Sequence, residues 1–246
     1  MTSAGPNPGD LAVASAIRSA VIAVDGPSGS GKSSVSRGVA QRLGLRYLDT
    51  GAMYRALTWA LLAETVDVND PVALAKHAGT PELTISTDPA HPGIAVDGLD
   101  VSGPIRGAEV TAAVSAISAV PEVRARLVAM QRDAVGEGGI VVEGRDIGSV
   151  VLPSATLKVF LTANAEIRSL RRAEELRAKG IEDAETDDTL RSIERRDRLD
   201  STRAVSPLLR ADDAVEVDAT DLNLEQVIDR VVTLVLERVT AQVGAP

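Results

Sequence analysis

Residues 26–33 spell Gly-Pro-Ser-Gly-Ser-Gly-Lys-Ser, a G-x-x-x-x-G-K-S run. That is the pattern of a P-loop, in which backbone N–H groups cradle phosphates, a lysine reaches the outer oxygens and a hydroxyl meets a magnesium ion. Glycines let the chain turn with positive φ and bring amide groups close to an anion. A helix directly after the loop adds unpaired N–H groups and a positive dipole end. Triphosphate contacts are therefore assigned to Gly26, Pro27, Ser28, Gly29, Ser30, Gly31, Lys32, Ser33 and Ser34. Within that set Lys32 is expected on the β- and γ-phosphates and Ser33 on Mg²⁺.

Three further groups carry charge where open α/β sheets put their ligands, at the carboxyl ends of strands. Asp49-Thr50 closes one short apolar run, and Arg55 follows one helical turn later, able to face an anion there. Thr50 is also expected to cap the helix that carries Arg55. Glu143-Gly144-Arg145-Asp146 closes the run Ile140-Val141-Val142. An acid at that place, in a chain with a P-loop, is expected to help organise Mg²⁺. Finally, arginines crowd between Arg168 and Arg203. Arg168 and Arg171 share a helix face, as do Arg196, Asp200 and Arg203. A solvated helix laced with Glu–Arg pairs would look similar, and such pairs add little to stability.

The elements that must hold these groups follow from hydrophobic period. Ala20–Val24 reads as a buried strand, and Val35, Val39 and Leu43 mark one face of the helix after the loop. Further strands are expected at Leu45–Leu48, Ile140–Val142, Leu157–Leu161 and Ala214–Asp218, with helices between them. Alternation of this kind predicts a five-stranded parallel sheet covered by helices on both faces, the α/β architecture of a P-loop NTPase. Leu83–Ser86 and Ile94–Val101 break the pattern with a small antiparallel insertion whose hairpin turns at Asp97-Gly98. Helices are expected over Ala108–Ala119 and from Pro121, and Val227 to Val239 gives a closing amphipathic helix. Residues 1–19, with Gly5, Pro6, Pro8 and Gly9, read as a disordered tail.

Composition narrows the function. The chain has 246 residues, no cysteine, and 35 acidic against 26 basic side chains for a net charge of −9. A sequence-blind nucleic-acid binder needs a basic surface, so no nucleic acid is expected as partner. There is no apolar run long enough for a membrane span and no cysteine-based zinc site, which fits a cytoplasmic protein. A guanine-reading Asn-Lys pair does not occur. What remains is a small kinase whose acceptor is itself anionic, because several arginines are needed to bring two phosphate-rich substrates together.

Taken in order, D-G-P-S-G-S-G-K-S, L-D-T-G-A-M-Y-R, D-V-S-G-P-I-R, V-E-G-R-D-I-G and R-D-R-L-D-S-T-R-A-V-S-P-L resemble the motifs of the bacterial-type cytidylate kinases. The resemblance runs from Ala20 to about Arg238. It implies CORE segments at 20–49, 107–167 and 188–246, an NMP-binding domain at 50–106 and a LID at 168–187. It implies transfer of the ATP γ-phosphoryl group to CMP or dCMP with Mg²⁺; a monomer is expected. By the same resemblance Thr50, Arg55, Arg145, Arg196 and Arg203 surround the acceptor phosphate, with Lys32, Arg145, Arg196 and Arg203 as the catalytic set. Ser115, Arg124 and Asp146 would read cytosine, Asp200 would contact the ribose, and Arg168 and Arg172 would approach the donor phosphates. A carboxylate can accept from the exocyclic amine of cytosine but not pair with uracil O4, which suits Asp146. Many relatives carry Asp where this chain has Glu143, so a contact to Mg²⁺ through water is expected; Thr50 stands where some have Ser. Another P-loop small-molecule kinase and a non-catalytic ATP-binding module stay open as alternatives.

Overall fold

A computed structural model describes residues 7–178, 186–202 and 207–244. In chain order the elements are α1 (Pro8–Ser19), β1 (Val21–Asp25), α2 (Lys32–Leu43), β2 (Arg46–Asp49), α3 (Thr50–Ala63) and α4 (Pro71–His77). Then come β3 (Leu83–Ile85), β4 (Ile94–Val96), β5 (Leu99–Asp100), α5 (Ala108–Ile117), α6 (Pro121–Val135) and β6 (Ile140–Gly144). The chain ends with β7 (Leu157–Thr162), α7 (Ala165–Ala178), α8 (Thr186–Thr202), β8 (Val215–Asp218) and α9 (Leu224–Val243).

The main sheet has five parallel strands in the order β2-β6-β1-β7-β8. Its central strand is apolar on both sides: Ile22, Ala23 and Val24 are fully buried. Side chains alternate across a strand, so the sheet divides the interior into two cores. Ile22 and Val24 join Val35, Val39, Val231 and Val235 under α2 and α9. Ala23 joins Met53, Leu57, Ile117 and Leu127 under α3, α5 and α6. Helices thus cover both faces, as the alternating pattern predicts. From β1 the sheet extends in both directions, and its carboxyl edge opens at that reversal, the place where such sheets bind ligands.

The insertion forms a second, antiparallel sheet in the order β3-β4-β5. Asp97 and Gly98 both have positive φ at its turn, 49° and 79°, the type I′ geometry that Asp-Gly favours. The insertion is tied to the P-loop helix: Arg37 Nε donates to the Pro89 carbonyl at 3.3 Å, and Gln41 donates to the same oxygen at 3.2 Å.

Two expectations need correction. Residues 8–19 are not a disordered tail but the helix α1, with Pro8 in its first turn and Asn7 capping it. Val13, Ala16 and Ile17 pack on the α2–α9 core, and a 12-residue helix with that apolar stripe is held by packing more than by propensity. Residues 1–6 lie outside the described part. The cap of α3 is Asp49, whose carboxylate accepts from the Ala52 N–H at 2.9 Å. Thr50 is the first helical residue, and its hydroxyl donates to the Glu143 carbonyl at 2.7 Å. Deleting residues 1–19 is expected to lower Tm by about 5 °C in differential scanning fluorimetry, since the lost burial is worth about 2 kcal/mol and each kcal/mol moves a chain of this size by a few degrees. An unchanged Tm would mean that α1 does not bear on the core.

Candidate active site

A cleft of about 720 Å³ runs along the carboxyl edge of the sheet, from the Ala219–Val227 segment past the P-loop to Ser115 and Arg124. Its floor is the loop between β1 and α2. Gly26 sits at φ 152°, and an added Cβ would lie 2.0 Å from the Leu161 carbonyl oxygen, a backbone atom of β7. Only glycine lets the loop leave the sheet there. Gly26→Ala is expected to weaken binding of a fluorescent ATP analogue by roughly tenfold or more, because strain of about 1–3 kcal/mol falls on the loop. Unaltered affinity would show that the loop can turn elsewhere.

The loop is held from behind by two groups. The Ser28 N–H donates to Asp197 Oδ1 at 2.9 Å, and the Ser28 carbonyl accepts from Arg168 Nη1 at 2.9 Å. Arg168 and Asp197 also pair with each other, and Arg168 is buried. Arg168 therefore lies behind the loop, outside the residues that line the cleft, whereas Arg171 and Arg172 line it. Arg171 spans to the Ala219 and Leu222 carbonyls. Among the groups that sequence reasoning passed over, Asp197 lies inside the quoted R-D-R-L-D motif, and only the fold shows that it faces Ser28.

Lys32 is buried beside the loop and donates to the Pro27 carbonyl at 2.7 Å. Burial and the nearby Arg145 guanidinium lower its pKa, while Glu143 and Asp25 oppose that shift. Glu143 is buried at the end of β6, with Asp49 opposite it on β2. Desolvation, then the Asp49 charge, raises the pKa of Glu143. Ser33 Oγ donates to Glu143 Oε2 at 3.0 Å, and the buried Tyr47 hydroxyl donates to Oε1. Burial and the Glu143 and Asp49 charges raise the Tyr47 phenol, so it stays a donor. Strand register puts Tyr47, Asp49 and Glu143 on one face, under the start of α2. The hydroxyl and carboxylates gathered there are hard oxygen ligands of the kind that hold Mg²⁺ together with waters and phosphates.

The far wall is built from α3, α5, α6 and the turn after β6. Arg124 and Asp146 form a buried ion pair, and the Arg124 guanidinium lies 5.6 Å from the centre of the Tyr54 ring. Arg124 Nη1 also reaches the Ser118 carbonyl at 3.5 Å. Ser115, Thr50 and Arg55 line the same wall, with Arg55 Nη1 on the Ile105 carbonyl at 3.0 Å and Thr111 Oγ1 at 2.9 Å. Arg145 joins the two halves: Nε donates to Asp200 Oδ2 at 2.8 Å and Nη1 to the Gly26 carbonyl at 2.8 Å. Arg196 lies on α8 but its side chain is outside the described part; so are Arg203 and residues 179–185 of the expected LID. The structure thus brings Ser33, Lys32, Thr50, Arg55, Ser115, Arg124, Glu143, Arg145, Asp146, Arg172 and Asp200 to one cleft.

Residues 22–237 match the family model described as cytidylate kinase. The chain belongs to the cytidylate kinase family. Similar proteins named cytidylate kinase include one from Streptomyces avermitilis, 55% identical over 224 residues, covering 90% of this chain and 95% of that protein. One from Nocardia farcinica is 55% identical over 226 residues, covering 90% and 94%. One from Mycolicibacterium paratuberculosis is 52% identical over 219 residues, covering 89% and 96%. The family match takes in the P-loop, the hairpin insertion and every residue that lines the cleft, and it begins beyond α1.

Proposed function

We propose that the chain transfers the γ-phosphoryl group of ATP to CMP or dCMP, giving ADP and CDP or dCDP. The observation that carries this reading is the presence of the P-loop and the buried Arg124–Asp146 pair in a single cleft. A triphosphate on Gly26–Ser34 would place its outer phosphates by Lys32. A pyrimidine against the far wall could give its exocyclic amine to Asp146, with Arg124 and Ser115 serving its acceptor atoms. Arg55 and Arg145 would balance the acceptor phosphate, with Arg196 and Arg203 assigned to the same task. Asp200, fixed by Arg145, would take a ribose hydroxyl.

The nucleophile is a phosphate oxygen that is already anionic, so this chemistry calls for no general base. Rate enhancement then rests on alignment and on charge stabilisation. Ser33 and Glu143, the latter through water, are the residues that would hold Mg²⁺, which would supply neutralisation of charge on the triphosphate. Arg172 is assigned to the donor phosphates; Arg168 supports the loop from behind instead. Both halves of the site come from one chain, which suits a monomer, and the protein is taken to act in the cytoplasm.

The test is ADP release in a coupled assay with CMP, dCMP, UMP, AMP and shikimate as acceptors. CMP and dCMP should be used with far the highest kcat/KM. Preference for another acceptor, or ATP binding without acceptor-dependent ADP release, would replace this reading with one of its rivals.

A further inference from the structure

Asp25 is a buried acid that the proposed reaction does not use. It ends β1 and directly precedes Gly26 of the P-loop. Its Oδ1 accepts from the Ile147 N–H at 2.8 Å and its Oδ2 from the Gly148 N–H at 2.7 Å. Those two amides follow directly after Asp146. In the opposite sense, Arg145 Nη1 donates to the carbonyl of Gly26. Residues 25–26 of the donor loop and 145–148 of the acceptor wall are therefore stitched together by three hydrogen bonds, with Asp146 between them.

A carboxylate is the one common side chain of this size that offers an acceptor on each of two oxygens. Asparagine would keep one acceptor and turn an NH₂ group toward a backbone N–H. Holding a carboxylate here is costly: burial raises Asp25 to about 6, with Asp146 adding to the rise, while the two amide bonds and Lys32 oppose it. The neighbourhood is also tight, since a Cβ on Gly148 would lie 3.3 Å from Asp25 Oδ2 and 3.0 Å from Lys158 Cδ.

We propose that Asp25 is a positioning residue for acceptor selection, holding the Asp146–Arg124 pair in fixed register with the donor loop. It acts through the amides of Ile147 and Gly148 and touches neither substrate. The inference rests on the reading of the site as a CMP kinase.

The experiment compares wild type, Asp25→Asn and Gly148→Ala. Three quantities are measured: KM for CMP at saturating ATP, the ratio of kcat/KM for CMP over UMP, and ATP affinity by calorimetry without acceptor. In Asp25→Asn, KM for CMP should rise about tenfold and the CMP-over-UMP ratio fall about tenfold, with ATP affinity within threefold of wild type. Gly148→Ala, which keeps the carboxylate but crowds it, should move the same two quantities by about threefold. It carries the test alone if Asp25→Asn does not fold. A lower Tm with KM and the base ratio unchanged would make Asp25 a purely structural acid and overturn the proposal. Loss of ATP affinity with the acceptor side intact would overturn it too, assigning Asp25 to the loop only. If wild type fails to phosphorylate CMP, the proposed function falls first; if wild type is active and both variants select bases as well as it does, only the role of Asp25 falls.

Discussion

Lys32→Ala is expected to lower kcat by about 10²- to 10³-fold, the cost typical of removing one donor aimed at charge that develops in a transition state. The reason lies in how Lys32 is housed. Its ammonium is buried, shares its surroundings with the Arg145 guanidinium, and is supported by Glu143, Asp25 and Asp197. A cation in such a place is disfavoured by lost hydration. A triphosphate brings several negative charges to it and reverses that balance, so the interaction strengthens where charge accumulates. Lys32→Arg should not restore activity, because a planar fork does not replace a compact ammonium in a tight slot. The measurement is ADP release at saturating ATP and CMP, with circular dichroism to confirm folding. Near-normal turnover in Lys32→Ala would remove the P-loop from the donor site.

The five core strands, the antiparallel insertion and the P-loop were legible in the sequence because each rests on a local signal: β-branched apolar runs, an Asp-Gly turn, and glycines at fixed spacing. The helix α1 was misread for an equally local reason. Glycines and prolines near its start suggest a loose tail and outweigh the stripe of Val13, Ala16 and Ile17 at i, i+3 and i+4; the partner that stripe packs on, α9 and its neighbours, lies at the far end of the chain. The site divides along the same line. Residues at strand ends could be picked out singly, yet their partners are far along the chain. Asp197 reaches Ser28 across 169 positions, and Tyr47 reaches Glu143 across 96. Arg168 shows the converse: the family resemblance implies a phosphate contact, but the fold turns it toward the back of the loop. Asp25 was invisible as a functional residue because it reads as the polar end of a strand until the turn at Ile147 is laid beside it.

Asp146→Ala is expected to cut kcat/KM for CMP by about 10²-fold or more and that for UMP far less, because a site built to pair a substrate N–H loses most when that pairing goes. The variant has a side effect that must be separated from selectivity. Arg124 is buried and pairs with Asp146, so removing the carboxylate leaves a buried cation uncompensated, which costs about 3–5 kcal/mol of stability. A fall in Tm would therefore accompany the loss for any acceptor. Asp146→Asn is the sharper probe. It keeps the shape and one acceptor oxygen, and it can turn an NH₂ group toward O4 of uracil. If the carboxylate reads the base, the CMP-over-UMP ratio should fall at least tenfold in Asp146→Asn, partly through a gain for UMP. A carboxylate that merely anchored Arg124 would show a different result: both acceptors would lose equally in either variant, and the ratio would stay at its wild-type value. That outcome would leave Ser115 and Arg124 as the groups that choose cytosine.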